Sequence, residues 1–491
     1  MKQQLNGRPD GRPEGLSGLL TPHVPIHPPS TGGSDGSQAL SLKNLLLLLG
    51  LMLSQASEAA SRTHEFKLDN GLKLVVQEDH RAPVVVVQIW YRVGASYEQD
   101  GTTGLSHALE HMMFKRTRNL RTGEFSRTVA AHGGRENAFT TRDYTAYFQQ
   151  WSADNVELSF QLEAERMRNL LLDEKEFANE RRVILEERRM RTEDNPQALA
   201  AEATTAATWQ TSPYRQPVIG WAADIKSLQL SDLKAWYQRW YAPANATLVV
   251  VGDVQPTAVL ALANKHFGPL PADPVAPPAL RPEVMQSGEK RLQLKDPRVR
   301  VPSLSIAFKT PGMTQIGKTG PAGTKVEAWE IYALEVLTGV LDGGNSARFS
   351  RNLLRGQQVA NAASAGYSPL SRFGDLLSLD ASPREGISLA TLEQALRTEI
   401  ARLQQEPPTA EELSRVKTRV RAEQTYQQDS MFYQAMIIGM LDAVGLPWQL
   451  KDSYDAGIMA VTPAQVQAVA QKYLVADRST VATLEAGGAR P

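Results

Sequence analysis

Cysteine is absent from all 491 residues, which excludes disulfides and thiolate metal sites together. Any metal must be held by His, Asp or Glu, and histidine is scarce, at 8 in the chain. Net charge is missing as well, since 53 basic residues balance 53 acidic ones. That balance gives no electrostatic reason to expect nucleic acid or an anionic membrane as the main partner. A long apolar run is also lacking. The run at 45–53 (LLLLLGLML) is too short to span a bilayer, so no integral span is expected in the mature chain. Lys43 precedes it, and the small residues Ala56, Ser57, Ala59 and Ala60 follow. This layout predicts a secretory signal cleaved near Ala59 or Ala60, and so an exported chain, periplasmic in a bacterium. A buried helix is the other reading of the run, but nothing amphipathic surrounds it. Residues 1–40 are rich in Gly, Pro and Ser and read as a disordered leader or an over-extended start of the reading frame.

What remains has the composition of a globular protein, 42% hydrophobic and 22% charged. It is too long for one ordinary core. Residues 65–76 read as a hairpin turning at Asp69-Asn70-Gly71, and 83–93 (PVVVVQIWYRV) as a buried strand. Helical spacing covers 104–114, 155–171 and 174–193; paired strands are expected at 137–140 and 145–149, and another buried strand at 246–252. Prolines crowd the stretch 269–282, which suits a semi-rigid linker. A similar order follows: strand 301–308, helix 326–341, strands 359–367 and 375–380, helices 392–404, 410–444 and 463–474, and strand 480–484. The expectation is an α+β fold of two homologous α/β sandwich domains, each an antiparallel-rich sheet with helices packed on one side. The leader and signal take 1–60, the first domain 61–268, the linker 269–298 and the second domain 299–491.

His107 and His111 stand four apart, so on a helix their rings leave one face a turn apart, the separation two ligands of one tetrahedral zinc require. Glu110 lies on the edge of that face, placed to take a proton from an attacking water rather than to bind the metal. The order H-x-x-E-H is the inverse of the commoner H-E-x-x-H. A catalytic zinc needs a third protein ligand. On 174–193, residues 180, 183, 184, 187 and 190 share a face, which Val183, Ile184 and Met190 are expected to make apolar. Glu180 and Glu187 would then point inward, where an unpaired carboxylate is costly. Glu187 is taken as the third ligand and Glu180 as the residue orienting a ligand histidine, with a salt bridge to Arg181 or a neighbouring helix as the plainer reading of Glu180. Glu186, flanked by Arg182 and Arg189, reads as a solvated ion-pair partner.

At this point the chain resembles the insulinase/pitrilysin-type inverzincin metallopeptidases, in particular their short bacterial and mitochondrial-processing-peptidase-like members. The resemblance rests on GLSHALEHMMFKRT (104–117), GGRENAFTTRDYTAYF (133–148), ERRVILEERRMRTEDNP (180–196) and WYAPANATLVVVGDV (240–254), in that order. It implies a zinc endopeptidase for peptides or small unfolded proteins, with one zinc per chain on His107, His111 and Glu187, Glu110 as general base and Glu180 as second acid. It implies further that Asn137 and Ala138 lie on an edge strand that binds substrate backbone; Phe139 reads equally as a pocket wall or a core aromatic. The loop 342–349 (DGGNSARF) resembles the glycine-rich loop of the second domain, and it lacks the Lys-Ser/Thr ending of a phosphate loop. Family members usually carry an Arg and a Tyr downstream that hold substrate and oxyanion. In LLRGQQVANAASAGY, Arg355 is present, Asn361 occupies the tyrosine position, and Tyr367 comes six residues late. The resemblance therefore implies a second homologous subunit supplying the Arg/Tyr pair, as a heterodimer or a homodimer. A non-catalytic binding or assembly subunit on the same fold is the alternative.

Overall fold

The computed structural model describes residues 62–276 and 283–487. The leader, the apolar run at 45–53 and part of the proline-rich stretch lie outside those residues. The strands β1 (Thr63–Lys67), β2 (Lys73–Glu78), β3 (Val84–Tyr91), β4 (Arg135–Thr140), β5 (Thr145–Ser152) and β6 (Ala246–Gly252) form one sheet in the order β1-β2-β6-β3-β5-β4. A second sheet contains β7 (Lys290–Asp296), β8 (Ser303–Thr310), β9 (Ala360–Gly366), β10 (Asp375–Pro383) and β11 (Ser479–Ala486), in the order β7-β11-β8-β10-β9. Leave out β1 and the two sheets have one topology. Each starts with a parallel pair, β2 with β6 or β7 with β11, and continues through three antiparallel pairings. The duplication expected from element order is thus carried by strand order and direction.

Side-chain alternation explains why the central strands of the first sheet are apolar throughout. Val85, Val87 and Ile89 enter a core shared with helices of their own half, including Leu105, Leu109, Phe160 and Phe177. Val86 and Trp90, on the other face, pack with Val249, Val251 and residues of a helix from the second half, Met431–Ala443. The exchange runs both ways, because the helix Pro196–Thr208 of the first half packs on β7 and β11. Helices of the same half therefore cover one face of each sheet, and a helix lent by the other half packs on the opposite face. Asp442, near the end of the lent helix, accepts from Lys73 Nζ and Arg92 Nη2, each at 2.7 Å, and from Thr247 Oγ1.

Two expectations change. Residues 410–444 form two helices, Ala410–Gln428 and Met431–Ala443, because the Ser430 side chain caps the second by accepting from Tyr433 N. Within the stretch expected to be linker, residues 290–296 form β7, an edge strand whose Lys-Arg-Leu-Gln-Leu alternation leaves every second side chain exposed.

Candidate metal centre

The helix Leu105–Met112 buries Leu105, Ala108, Leu109 and Met112 and leaves His107 and His111 on a half-buried flank. Their ring centroids lie 4.8 Å apart at 73°. Facing them is the helix Glu174–Arg188, started by Asp173, whose side chain accepts from Lys175 N and Glu176 N. Directly after it the backbone passes into a π-helical turn, Arg189–Glu193. Glu187 Oε2 lies 3.8 Å from His107 Nε2 and 3.5 Å from His111 Nε2. Ligand atoms ~2.0–2.1 Å from a tetrahedral zinc stand roughly 3.3 Å from one another, a value that both separations from Glu187 approach. They also form the one group of three potential metal-ligating side chains among the described residues whose ligand atoms all lie within 4.8 Å of one another.

The apolar face expected on the glutamate helix is corrected. Val183 and Met190 are 49% and 62% exposed; Phe177, Ile184 and Arg188 are the buried residues. Glu180 and Glu187 point inward because the histidine helix lies opposite, and the contact between the two helices is partly the polar site itself. Glu180 Oε2 sits 3.1 Å from His111 Nδ1, and its other oxygen 2.6 Å from Lys115 Nζ. Glu187 Oε1 pairs with Arg191 Nη1 at 2.7 Å. Glu186 is exposed and pairs with Arg189.

Electrostatics separates the two rings. Burial and the neighbouring His111 charge push His107 down to about 4. Burial works against a charge on His111 too, but its bonds to Glu180 and Glu187 outweigh this and carry it up to about 9. Bonding to His111 holds both Glu180 and Glu187 below the usual carboxylate range. This anionic cradle favours a cation on the imidazole side. Glu110 differs: burial raises it, and the hydroxyl of Thr140, donating to Glu110 Oε2 at 2.5 Å, opposes the shift.

Thr140 ends β4, the edge strand of the first sheet, so β4 lies beside the metal position with one backbone side free of strand pairing. Asn137 is exposed, and its side chain accepts from Ala138 N. Phe139 turns to the opposite face, edge-on to Trp90 at 5.6 Å and beside Tyr144, in the cluster under the lent helix. Arg355 is not brought to the metal centre; its guanidinium bonds the carbonyls of Ser350 and Asn345 in its own segment. Asn361 bonds Pro383 O, and the buried Tyr367 hydroxyl donates to Pro311 O at 2.6 Å. Sequence reasoning missed Lys115, Arg191 and Thr140. Position could have revealed the first two, one turn beyond His111 and Glu187. Thr140 could have been found from strand alternation after Ala138.

The chain is similar to known proteins over most of its length. The family model for insulinase (peptidase family M16) matches residues 73–221, and that for the peptidase M16 inactive domain matches 227–420. The chain is 32% identical to zinc protease PqqE of Helicobacter pylori over 332 residues, 66% of this chain and 72% of that one. The crystal structure of a protease from Helicobacter pylori superposes with a TM-score of 0.80 at 28% identity, covering 87% of this chain and all of that one. The periplasmic protease PqqL from Escherichia coli shares the fold at 19% identity and a TM-score of 0.70, covering 87% of this chain and 48% of that one.

Proposed function

Since this chain belongs to the insulinase peptidase family, M16, whose named relatives include zinc proteases, we propose that it is a zinc endopeptidase cutting peptides or small unfolded proteins. The observation that carries the reading is the convergence of His107, His111 and Glu187 from two helices at near-tetrahedral spacing. Glu110 stands beside them, engaged by Thr140. Zinc, when held by those three side chains, supplies a Lewis acid that polarises the scissile carbonyl and acidifies the attacking water.

The chain's own groups do the rest. Glu110 takes the water proton on its carboxylate and returns it to the departing amine. Burial suits it to that work, since a raised carboxyl holds a proton more readily. Glu180 accepts from His111 Nδ1, which leaves the Nε2 lone pair to face the metal. The free side of β4 at Asn137 and Ala138 receives extended substrate by main-chain pairing. Phe139 belongs to the packing beneath rather than to a pocket. The metal centre belongs to the first half, residues 61–268, and the second half begins with β7.

No helix among the described residues is long and apolar enough to cross a membrane. The reading of 45–53 as a signal, with a periplasmic solved relative of the same fold, supports export. That relative is about twice as long, and Asn361 and Tyr367 are both engaged by carbonyls of the second half. Both points support a second homologous subunit supplying an Arg/Tyr pair. The inactive-domain match on 227–420 keeps a non-catalytic assembly subunit as the second reading. The test is metal content and cleavage of an internally quenched peptide, on the chain with whatever subunit co-purifies. One zinc per chain, lost in Glu187→Gln and kept in an inactive Glu110→Gln, is expected. Absence of stoichiometric zinc, or full cleavage by Glu110→Gln, would overturn the proposal.

A further inference from the structure

The first turn of a helix leaves backbone N–H groups without intrahelical partners, and the residue before it usually offers a side chain to one of them. The histidine helix has no such side chain. Gly104 stands there, in the left-handed region at φ 91°. A carboxylate from outside the helix takes the role, and a second one ties down the residue before the cap. Glu98 accepts from Gly104 N and from Ser106 N, each at 2.7 Å. Asp224, on the short helix Ala222–Ser227, accepts from Thr103 N at 3.2 Å and from Thr103 Oγ1 at 2.7 Å. Thr103 Oγ1 in turn accepts from Trp221 N at 2.9 Å. The backbones also touch: a Cβ on Gly104 would lie 2.7 Å from Ile219 O, and one on Gly220 only 2.6 Å from Thr103 O.

Glu98 is 6% exposed, and a carboxylate buried so deeply is costly. Burial pushes it up to about 7 against the pull of the two N–H groups, with Asp224 adding in the same direction as burial. A core needing only a helix start could use a capping serine instead. The second half shows that alternative inside the same molecule. There the turn Met313–Gln315 follows β8 from Gly312, as the turn Ala95–Tyr97 follows β3 from Gly94. Four residues beyond each glycine stands Glu98 in the first half and Ile316 in the second. The corresponding second-half helix, Ala328–Leu341, is capped from within, Glu330 accepting from Glu327 N. The buried clamp occurs in the half that carries the histidines and is absent from its counterpart.

We infer that Glu98 is a positioning residue for the metal centre: by holding the N–H groups of Gly104 and Ser106 it fixes the first turn of the histidine helix, and so sets His107 against Glu187. This rests on the zinc reading above. Ser106 adjoins His107 in sequence, so a slip of that turn moves the ligand directly, and metal sites tolerate errors of only ~0.2 Å.

Glu98→Gln tests it, since the amide keeps the shape and one acceptor but turns its NH2 toward the other N–H. Zinc affinity is measured by chelator competition on the full chain, together with the visible spectrum of the cobalt-substituted protein. The zinc dissociation constant is expected to rise ~10- to 100-fold with displaced cobalt bands and a lower kcat at unchanged KM. Ile316→Gln in the second half should change none of these. A folded Glu98→Gln with wild-type zinc affinity and cobalt spectrum overturns the inference. Should that variant not fold, Glu98→Asp, which keeps the charge but is too short to hold both N–H groups at once, carries the same measurement, and wild-type values there overturn it equally. A wild-type chain without zinc affinity would instead overturn the zinc reading, and the clamp with it.

Discussion

The carboxylate of Glu110 is half-buried, and burial by itself favours its protonated form. Thr140 Oγ1 is the group that answers this, and it fixes which way the carboxylate turns. A hydrogen bond to a charged group contributes about 1.5–3 kcal/mol, and each 1.4 kcal/mol is worth about tenfold in rate. Thr140→Val is therefore expected to lower kcat by roughly 10- to 100-fold with zinc content unchanged, whereas Thr140→Ser keeps the hydroxyl and most of the rate. Steady-state kinetics beside metal analysis decides it; equal rates for the Val and Ser variants would show that the hydroxyl plays no part. Local spacing brought out His107, Glu110 and His111 as a group, because helical geometry converts residue number into direction, whereas Glu187 was singled out with an apolar face that its helix does not have. Thr140 was legible only by carrying strand alternation on from Ala138, and Glu98 was not legible, since it acts through a loop whose position depends on the whole half.

At the scale of elements, strands and long helices could be read wherever periodicity decided the matter, as in β3, β6 and the two metal-binding helices. The failures have physical causes. β7 is an edge strand with a charged, half-exposed pattern that reads as linker. The helix Glu174–Arg188 exposes Val183 and Met190 because its packing surface is built partly from carboxylates meeting histidines, which no hydrophobic count detects. The lent helix Met431–Ala443 is apolar on nearly every side because it packs on a foreign sheet as well as against neighbouring helices of its own half. Its closest approach is at Gly439, where a Cβ would fall 2.1 Å from Trp90 Cε2. Neither helix backbone nor buried indole can yield that distance without a shift. Gly439→Ala should cost about 1–3 kcal/mol of overpacking, visible as a lower Tm in thermal unfolding, and Gly439→Ala with Trp90→Leu should recover part of it. An unchanged Tm in the single variant would show that the lent helix is not held as tightly as its contacts imply.

Over the whole molecule, the duplicated topology lets one half be read against the other. The segment His107-Ala-Leu-Glu110-His111 has its counterpart in Tyr332-Ala-Leu-Glu335-Val336, on the helix that follows β8 as the histidine helix follows β3. Asp173 and Thr409 start equivalent helices, and counting from each cap brings Glu187 onto Glu423. The electrostatics agree: loss of solvent pushes the half-buried Glu335 up to about 7, and it feels the charge of Glu423 as Glu110 feels that of Glu187. Tyr367 also lies within the field of Glu335. The second half therefore keeps both acids and has lost both imidazoles, and the Tyr454 hydroxyl donates to Glu335 in their place. Sequence identity between the halves was too faint to reveal this, because only the acids and the Ala-Leu pair survive. Tyr332→His with Val336→His should then restore a metal site using Glu423 as third ligand, raising zinc from one to two per chain, while either substitution alone leaves it at one. Metal analysis of the folded double variant is decisive: a stoichiometry of one would mean that Glu423 and the two new imidazoles do not converge, and that the halves share a topology without sharing the register of the site.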